Sequence, residues 1–175
     1  MGKVVKAVEK VANDVVKAVD PNKYGNSRNN TLKVYVWGKA YGYDGNDRLE
    51  AYALKAELYG GNGNDTLYSK SGQAKLDGGN GNDNIDAYGL SNKIYAGSGN
   101  DTISARAASN NIWAGTGHDK VYAWGGKNTV RGENGNDYLE VWGLSNYIHG
   151  GNDNDTIKAR AASNNVYGGR GKDTI

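Results

Sequence analysis

The strongest constraint on the fold of this chain is a repeat of eighteen residues that runs without a single insertion. A loop-like string begins at residues 42, 60, 78, 96, 114, 132, 150 and 168, and reads GGNGNDTL at residue 60. A second, different nonapeptide lies between successive strings, for example AYGLSNKIY from residue 87. A fixed period of this length is typical of solenoids, in which each repeat forms one supersecondary unit.

The apolar residues of the repeat predict β-strands with one buried face. Each nonapeptide carries a strongly apolar residue at its eighth position, and a small residue follows two positions after the first of these columns. A spacing of two places side chains on one face of a strand. A helix is excluded because each repeated glycine would cost about 1 kcal/mol in its interior. The first column is Leu49, Leu67, Ile85, Ile103, Val121, Leu139, Ile157 and Ile175, and the second is Leu58, Leu76, Ile94, Ile112, Val130, Ile148 and Val166.

One repeat cannot bury its apolar face alone, so we expect the repeats to stack in register. The predicted fold is all-β, a parallel β-roll or β-solenoid over residues 42–175, with each turn built as strand, turn, strand, turn. Residues 21–41 predict an irregular first rung outside the eighteen-residue frame, because Leu32, Val34 and Val36 alternate with outward residues there.

Residues 1–20 predict an N-terminal amphipathic helix. Valines recur at helical spacing along one stripe, and Asp20-Pro21 ends the pattern. Three interpretations remain open for this helix: a cap on the open end of the solenoid, a membrane-surface helix, or a segment that docks onto another subunit.

Composition excludes several classes of function. A net charge of +2 does not favour nucleic-acid binding, and the absence of cysteine excludes disulfides and thiolate zinc sites. No apolar run approaches the ~18 residues that span a bilayer, and residues 1–20 do not resemble a cleavable signal peptide. With two histidines and none of the common catalytic motifs, we do not expect an enzyme.

The sixth position of every loop is an aspartate, and stacking in register places these residues in one column. Neighbouring carboxylates would repel by about 3 to 4 kcal/mol per pair at an effective dielectric near 20, so the column needs counter-charge. Glycines allow backbone carbonyls to converge on the same point. Carboxylates and carbonyls together form the hard oxygen site that Ca²⁺ prefers. The predicted metal ligands are Asp47, Asp65, Asp83, Asp101, Asp119, Asp137, Asp155 and Asp173.

The loops resemble the calcium-binding RTX (repeats-in-toxin) nonapeptide, G-G-x-G-x-D-x-U-x with U apolar. Gly60, Gly61, Gly63, Asp65 and Leu67 match it fully, and the resemblance extends over residues 42–175. It implies Ca²⁺ bound by main-chain carbonyls and the sixth-position aspartate, and export by a type I system with folding outside the cell. RTX rolls usually carry the motif at both edges. Because the second nonapeptide lacks it here, we expect up to seven ions along one edge only.

Several loops depart from the RTX pattern. Alanine or a larger residue replaces glycine at the first, second or fourth position, and two loops carry a basic residue at the fifth. An aspartate at the fourth position either adds a ligand or spoils the turn. These residues are Ala96 and Ala114 (first position), Tyr43 and Glu133 (second), Asp153 (fourth), and His118 and Lys172 (fifth).

The opposite edge predicts a structural ladder without metal. Stacked asparagine side chains can hydrogen-bond along such a ladder. The first two turns carry Ala56 and Ala74 in this slot, so the ladder begins at the third turn. Its members are Asn92, Asn110, Asn128, Asn146 and Asn164.

All seventeen aromatic residues are tyrosine or tryptophan, and many are predicted to point outward in columns that they share with lysine and arginine. Cation–π pairs between rungs would stabilise the sheets. Lateral contact with protein and a stacking platform for surface glycans are the alternatives.

We therefore expect a secreted, extracellular calcium-binding structural protein that folds on calcium. The chain ends at Ile175, halfway through a repeat, and an uncovered rung offers unpaired backbone groups to an incoming strand. This predicts head-to-tail self-assembly into a homo-oligomeric filament or matrix. The alternatives are an adhesin-like or glycan-binding module, or an RTX module of a larger secreted enzyme or toxin.

Overall fold

The computed structural model describes residues 21–175, and the regular structure in this range consists of eleven β-strands. The predicted helix at residues 1–20 lies outside the described residues. No helix in the described range could span a membrane. The strands are β1 (Lys23–Asn26), β2 (Thr31–Val34), β3 (Trp37–Asp44), β4 (Arg48–Ala51), β5 (Lys55–Asn62), β6 (Thr66–Asn80), β7 (Asn84–Ser98), β8 (Thr102–Thr116), β9 (Lys120–Asn134), β10 (Tyr138–Asn152) and β11 (Thr156–Arg170).

The strands form a parallel β-solenoid, which confirms the predicted fold class. The sheet order is β1-β3-β5-β6-β7-β8-β9-β10-β11, and β2 and β4 pair beside this path on the other face of the first turns. From β3 onward each residue pairs with the residue eighteen positions later, as Leu67 does with Ile85. The repeat length of the sequence is thus the circumference of one turn.

The asparagine edge differs from the expected pattern of strand, turn, strand, turn. From β6 onward each turn is one strand of fifteen residues that bends at this edge and stays paired on both sides of the bend. In β7 and β8, Gly89 pairs with Ala107 and Ser91 pairs with Ser109. Backbone hydrogen bonds therefore pass around this edge, and only the aspartate loops interrupt the strands.

Residues 23–34 continue the same stack with a different offset. Lys23 pairs with Ala40 and Leu32 pairs with Leu49, so the first turn is seventeen residues long. Its missing residue removes this turn from the eighteen-residue frame, which is why the segment looked irregular in the sequence.

A narrow apolar core runs along the axis of the roll. Leu49, Leu67 and Ile85 on one face and Leu58, Leu76 and Ile94 on the other are fully buried, as the strand pattern predicts. Each contributes about 1.5 to 3 kcal/mol by burial. The column positions in the last turn are less covered, since Val166 is only partly buried and Ile175 is 70 % exposed.

The predicted asparagine ladder is confirmed. The side-chain amide of Asn110 donates to Oδ1 of Asn128 at 2.8 Å, and Asn128 donates to Asn146 at 2.9 Å. The same amides also donate to backbone carbonyls, as Asn128 does to Trp142 at 3.0 Å. Ala74 occupies the slot before Asn92, and Oδ1 of Asn92 is buried without a hydrogen-bond partner.

The ladder predicts the cost of a substitution at its centre. Asn128→Ala removes the donor to Asn146 and the acceptor of Asn110 at a buried position, and unpaired buried groups cost about 1 to 3 kcal/mol. We expect chemical denaturation in saturating Ca²⁺ to show a loss of that size. The matched control is Asn165→Ala, an exposed asparagine on the outer face, which should change stability by less than about 0.5 kcal/mol. Equal losses from the two variants would contradict a stabilising ladder.

Candidate metal centre

The structure brings the eight predicted aspartates into one column along one edge. Each is the sixth residue of its loop, and the first seven stand directly before a strand and donate their backbone N–H to the next turn. Oδ1 of Asp65 accepts the N–H of Asp47 at 2.7 Å, and Oδ1 of Asp83 accepts that of Asp65 at 2.7 Å. The pattern repeats to Asp173, which accepts the N–H of Asp155 at 3.0 Å. Each carboxylate is therefore held in place by the turn before it.

The second oxygen of each carboxylate has no such partner. Oδ2 is buried and makes no hydrogen bond in all but the last of the aspartates, and the residues concerned are at most 2 % exposed. A buried carboxylate oxygen without a partner is costly unless a proton or a cation balances it. These residues are Asp47, Asp65, Asp83, Asp101, Asp119, Asp137 and Asp155.

Burial has the expected effect on the acidity of these groups. Desolvation raises the pKa of Asp65 and Asp101 to about 6. Desolvation raises it to about 7 for Asp83, Asp119 and Asp137. The N–H bonds of the preceding turn oppose this shift without cancelling it. Without a cation, these carboxyls therefore keep their protons to a higher pH than ordinary aspartates do.

Glycines make room for the carboxylates and for close contact between turns. A Cβ on Gly60 would collide with Oδ2 of Asp65 and would lie 2.5 Å from the carbonyl oxygen of Gly78. At the fourth position, a Cβ on Gly81 would overlap the carbonyl oxygen of Gly63. Oδ2 of Asp65 and the carbonyl oxygen of Gly78 thus lie beside the same first-position glycine, and the fourth-position glycine allows close contact between successive loops.

A second row of side chains fixes the loops from outside. Oδ1 of the fifth-position asparagine accepts the N–H of the fifth residue in the next turn, as Asn64 does from Asn82 at 2.7 Å. His118 takes the same role, because its Nδ1 accepts the N–H of Asn136 at 2.9 Å. The basic residue that departs from the RTX pattern here thus preserves the hydrogen bond.

Three of the replaced glycines adopt backbone angles that side chains disfavour. Tyr43 (φ 78°), Glu133 (φ 83°) and Asp153 (φ 78°) all lie in the left-handed region. Glycine occupies the equivalent second or fourth positions elsewhere, for example Gly79 at φ 107°. Asp153 therefore keeps the turn rather than destroying it, at a cost of order 1 to 3 kcal/mol for the strained backbone.

The arrangement fits Ca²⁺ by its donor chemistry. The unpaired Oδ2 atoms and the nearby carbonyls are hard oxygen donors, which calcium takes in sets of six to eight. In residues 21–175 no three or more His, Cys, Asp or Glu side chains are grouped to hold a metal. Backbone carbonyls would thus have to supply much of the ligand set beside the aspartates. The assignment of the eight aspartates as ligands stays a prediction.

One residue of the aspartate edge was not predicted from the sequence. Asn30 occupies the aspartate slot of the first turn, and its N–H donates to Oδ1 of Asp47 at 2.6 Å. Gly25, Asn30 and Leu32 stand at the first, sixth and eighth positions of a loop of the same kind. The signal was present, but a seventeen-residue offset hides it from a search at a period of eighteen.

Comparison with protein families matches the chain to the RTX calcium-binding nonapeptide repeat (4 copies), at residues 57–76, 77–108, 88–121, 104–139 and 143–175. These segments cover more than half of the chain. The chain belongs to the RTX calcium-binding repeat family. A comparison with curated proteins and one with solved structures gave no match.

Membership in the RTX family confirms the resemblance and carries three coarse conclusions. The roll is a calcium-binding element, and its repeats are structural rather than catalytic. RTX repeats are typical of secreted proteins. The number of ions and the ligands of each one are not fixed by the family and remain predictions.

The raised pKa values predict how pH acts on the calcium-free roll. The folded carboxyls hold protons up to about pH 6 to 7, whereas unfolded aspartates lose them near pH ~4. The folded state therefore binds more protons in this range, and its stability falls as pH rises from about 4 to 7. In excess chelator, circular dichroism should show more β-structure at pH 5 than at pH 7.5. Ca²⁺ at pH 7.5 should restore it. A β signal that grows with pH in chelator would contradict this assignment.

The two edges predict different effects on calcium binding. Asp101 borders one space between its loop and the preceding loop and another between its loop and the following one. Asp101→Ala removes an oxygen donor from both spaces, so isothermal titration calorimetry should show the loss of up to two ions. Asn110→Ala at the neutral edge is the matched control, and it should lower stability while leaving the calcium stoichiometry unchanged. Equal loss of calcium from both variants would overturn the one-edge assignment.

Proposed function

We propose that this protein is a secreted structural protein whose roll folds when it meets extracellular Ca²⁺ and then assembles head to tail with further copies. The observation that carries the calcium-dependent step is the column of buried carboxylates whose Oδ2 atoms have no partner. Without a cation or protons the column is an uncompensated buried charge, so metal binding and folding are coupled.

The coupling of folding to calcium binding suits a secreted protein. Extracellular calcium modules work with dissociation constants of about 10⁻⁴ to 10⁻³ M, far above cytosolic calcium concentrations. A chain with this carboxylate column would stay loosely folded in a calcium-poor cytoplasm and fold after export. The typical secretion of RTX proteins supports this order of events.

Assembly is supported by the open edge of the sheet at β11. Within the described residues β11 pairs only with β10, although a bridge joins Thr156 to Thr174. The core positions Ala159 and Val166 are only partly covered there. A further calcium-binding turn would pair with this edge and extend the apolar core. The rival proposal is that this turn comes from the same polypeptide, in which case the roll is a module of a larger secreted protein.

Calcium titration of this chain tests both steps. Circular dichroism should show a cooperative gain of β-structure, and static light scattering should rise with Ca²⁺ and fall with chelator. Val166→Lys places a charge in the core at the open edge and should abolish the rise in scattering. Asn165→Lys adds the same charge on the adjacent outward position and should leave the rise intact.

The outcomes separate the two steps. A full β signal in excess chelator at neutral pH would refute calcium-dependent folding. A chain that folds with calcium but stays monomeric at high concentration would refute assembly and favour the module of a larger protein.

A further inference from the structure

Charge is distributed unevenly between the aspartate edge and the outer faces. Residues 21–175 carry seventeen lysines and arginines and sixteen acids, and eight of these acids are the aspartate column. The remaining surface has seventeen cations against eight acids. Once Ca²⁺ neutralises the column, which rests on the proposed function, the roll becomes a strongly cationic rod.

One part of this surface has no acidic residue at all. It consists of three columns of outward residues on the strand halves that follow the asparagine edge in the last five turns, and we call it the acid-free band. The exposed Glu133 borders this band two residues after Arg131, in an aspartate loop. It extends over about 19 Å at ~4.8 Å per turn. Its members are Ser91, Lys93, Tyr95, Ser109, Asn111, Trp113, Lys127, Thr129, Arg131, Ser145, Tyr147, His149, Ser163, Asn165 and Tyr167.

The aromatic rings at the centre of the band have neighbours over their faces, whereas Tyr167 in the last turn is 51 % exposed. Tyr95 and Trp113 stack with centroids 4.7 Å apart, and Lys93 lies over both rings at 5.3 and 5.6 Å. Arg131 lies over Trp113 at 5.4 Å and over Tyr147 at 5.9 Å. The predicted cation–π pairs between turns are thus present. Because the faces of Tyr95 and Trp113 are occupied, these rings do not form a stacking platform for sugars or bases.

What remains available is a flat row of cations, hydroxyls and amides. Lys93 and Lys127 are exposed, and no ion pair involves the lysines or arginine of the band within residues 21–175. The opposite face differs, because Asp86 and Glu140 interrupt its cations over the same turns. Hydrogen bonds from Tyr138 and Trp142 lower the pKa of Glu140, and the charges of Lys158 and Arg160 lower it further.

We propose that the calcium-loaded roll binds an acidic polysaccharide along the acid-free band. Lys93, Lys127 and Arg131 meet the anionic groups of the polymer, while serine, threonine and asparagine side chains hydrogen-bond its hydroxyls. Lys93 lies two turns from Lys127 and Arg131, about 10 Å at ~4.8 Å per turn, so a linear polymer that carries anionic groups along its length can contact all three cations.

Other polyanions fit this surface less well. Single-stranded nucleic acids are held by successive bases stacked on exposed ring faces, and the faces of Tyr95 and Trp113 at the centre of the band are covered. Reading of duplex DNA requires an element that enters a groove, and the band is the flat side of a sheet. Anionic membranes attract clusters of about four to eight basic residues, and the band carries three lysines and arginines.

Binding to immobilised carboxymethyl-dextran in saturating Ca²⁺ tests the proposal. Unmodified dextran is the matched uncharged polymer. The variant is Lys93→Gln/Lys127→Gln/Arg131→Gln. Its control is Arg106→Gln/Lys158→Gln/Arg160→Gln, which removes the same charge and the same kind of ring contacts from the other face. Calorimetry and circular dichroism check that both variants bind calcium and fold.

The expected result is at least a tenfold weaker affinity for the band variant, less than threefold for the control, and no binding to dextran. Equal losses from both variants would overturn the band as the site. Tighter binding to an oligo-dT strand than to carboxymethyl-dextran would overturn the polysaccharide assignment. Failure to bind calcium would refute the proposed function, whereas calcium-dependent folding without polymer binding would refute this inference alone.

Discussion

The buried carboxylate column determines the conditions under which this roll is stable. Its Oδ1 atoms are anchored by the turn before, and its Oδ2 atoms face a glycine-lined space without a partner. An acceptor of this kind must be balanced by a proton or by a cation. At neutral pH, Ca²⁺ is the balancing species that both the oxygen donors and the RTX family indicate.

The comparison of the two edges shows why only one of them depends on conditions. An asparagine side chain has both donors and an acceptor, so each amide can donate to the next one and the ladder needs no cation. An ionised carboxylate can only accept hydrogen bonds. In the stack, each carboxylate accepts one backbone N–H with Oδ1, and its Oδ2 has no donor. The same stacking geometry is therefore self-sufficient at Asn128 and incomplete at Asp119. The apolar core has only one column of large side chains on each face, so the free energy gained by burying it does little to offset the cost of the unpaired carboxylate oxygens.

Periodicity explains what could be predicted from the sequence and what could not. A period of eighteen fixes which residues share a column, so the core, the aspartate edge and the asparagine ladder follow from spacing alone. Spacing does not give backbone angles. The left-handed φ of Glu133 and the continuity of the strands around the asparagine edge become visible only in three dimensions. Asn30 was missed for another reason, because one deleted residue moves its turn out of phase with the repeat while leaving its hydrogen bond to Asp47 intact.

The departures from the RTX pattern fall into two physical kinds. His118 preserves the hydrogen bond between turns that an asparagine makes elsewhere, so this substitution leaves the hydrogen bonding between the aspartate loops unchanged. Glu133 and Asp153 instead hold a strained backbone where glycine would be relaxed, and both add negative charge that contributes to the raised pKa of the neighbouring column. Those turns therefore combine an added negative charge with a strained backbone. In a stack where each turn contacts only its neighbours, such differences make the calcium edge uneven along its length. Cation binding there has to offset backbone strain as well as repulsion between carboxylates.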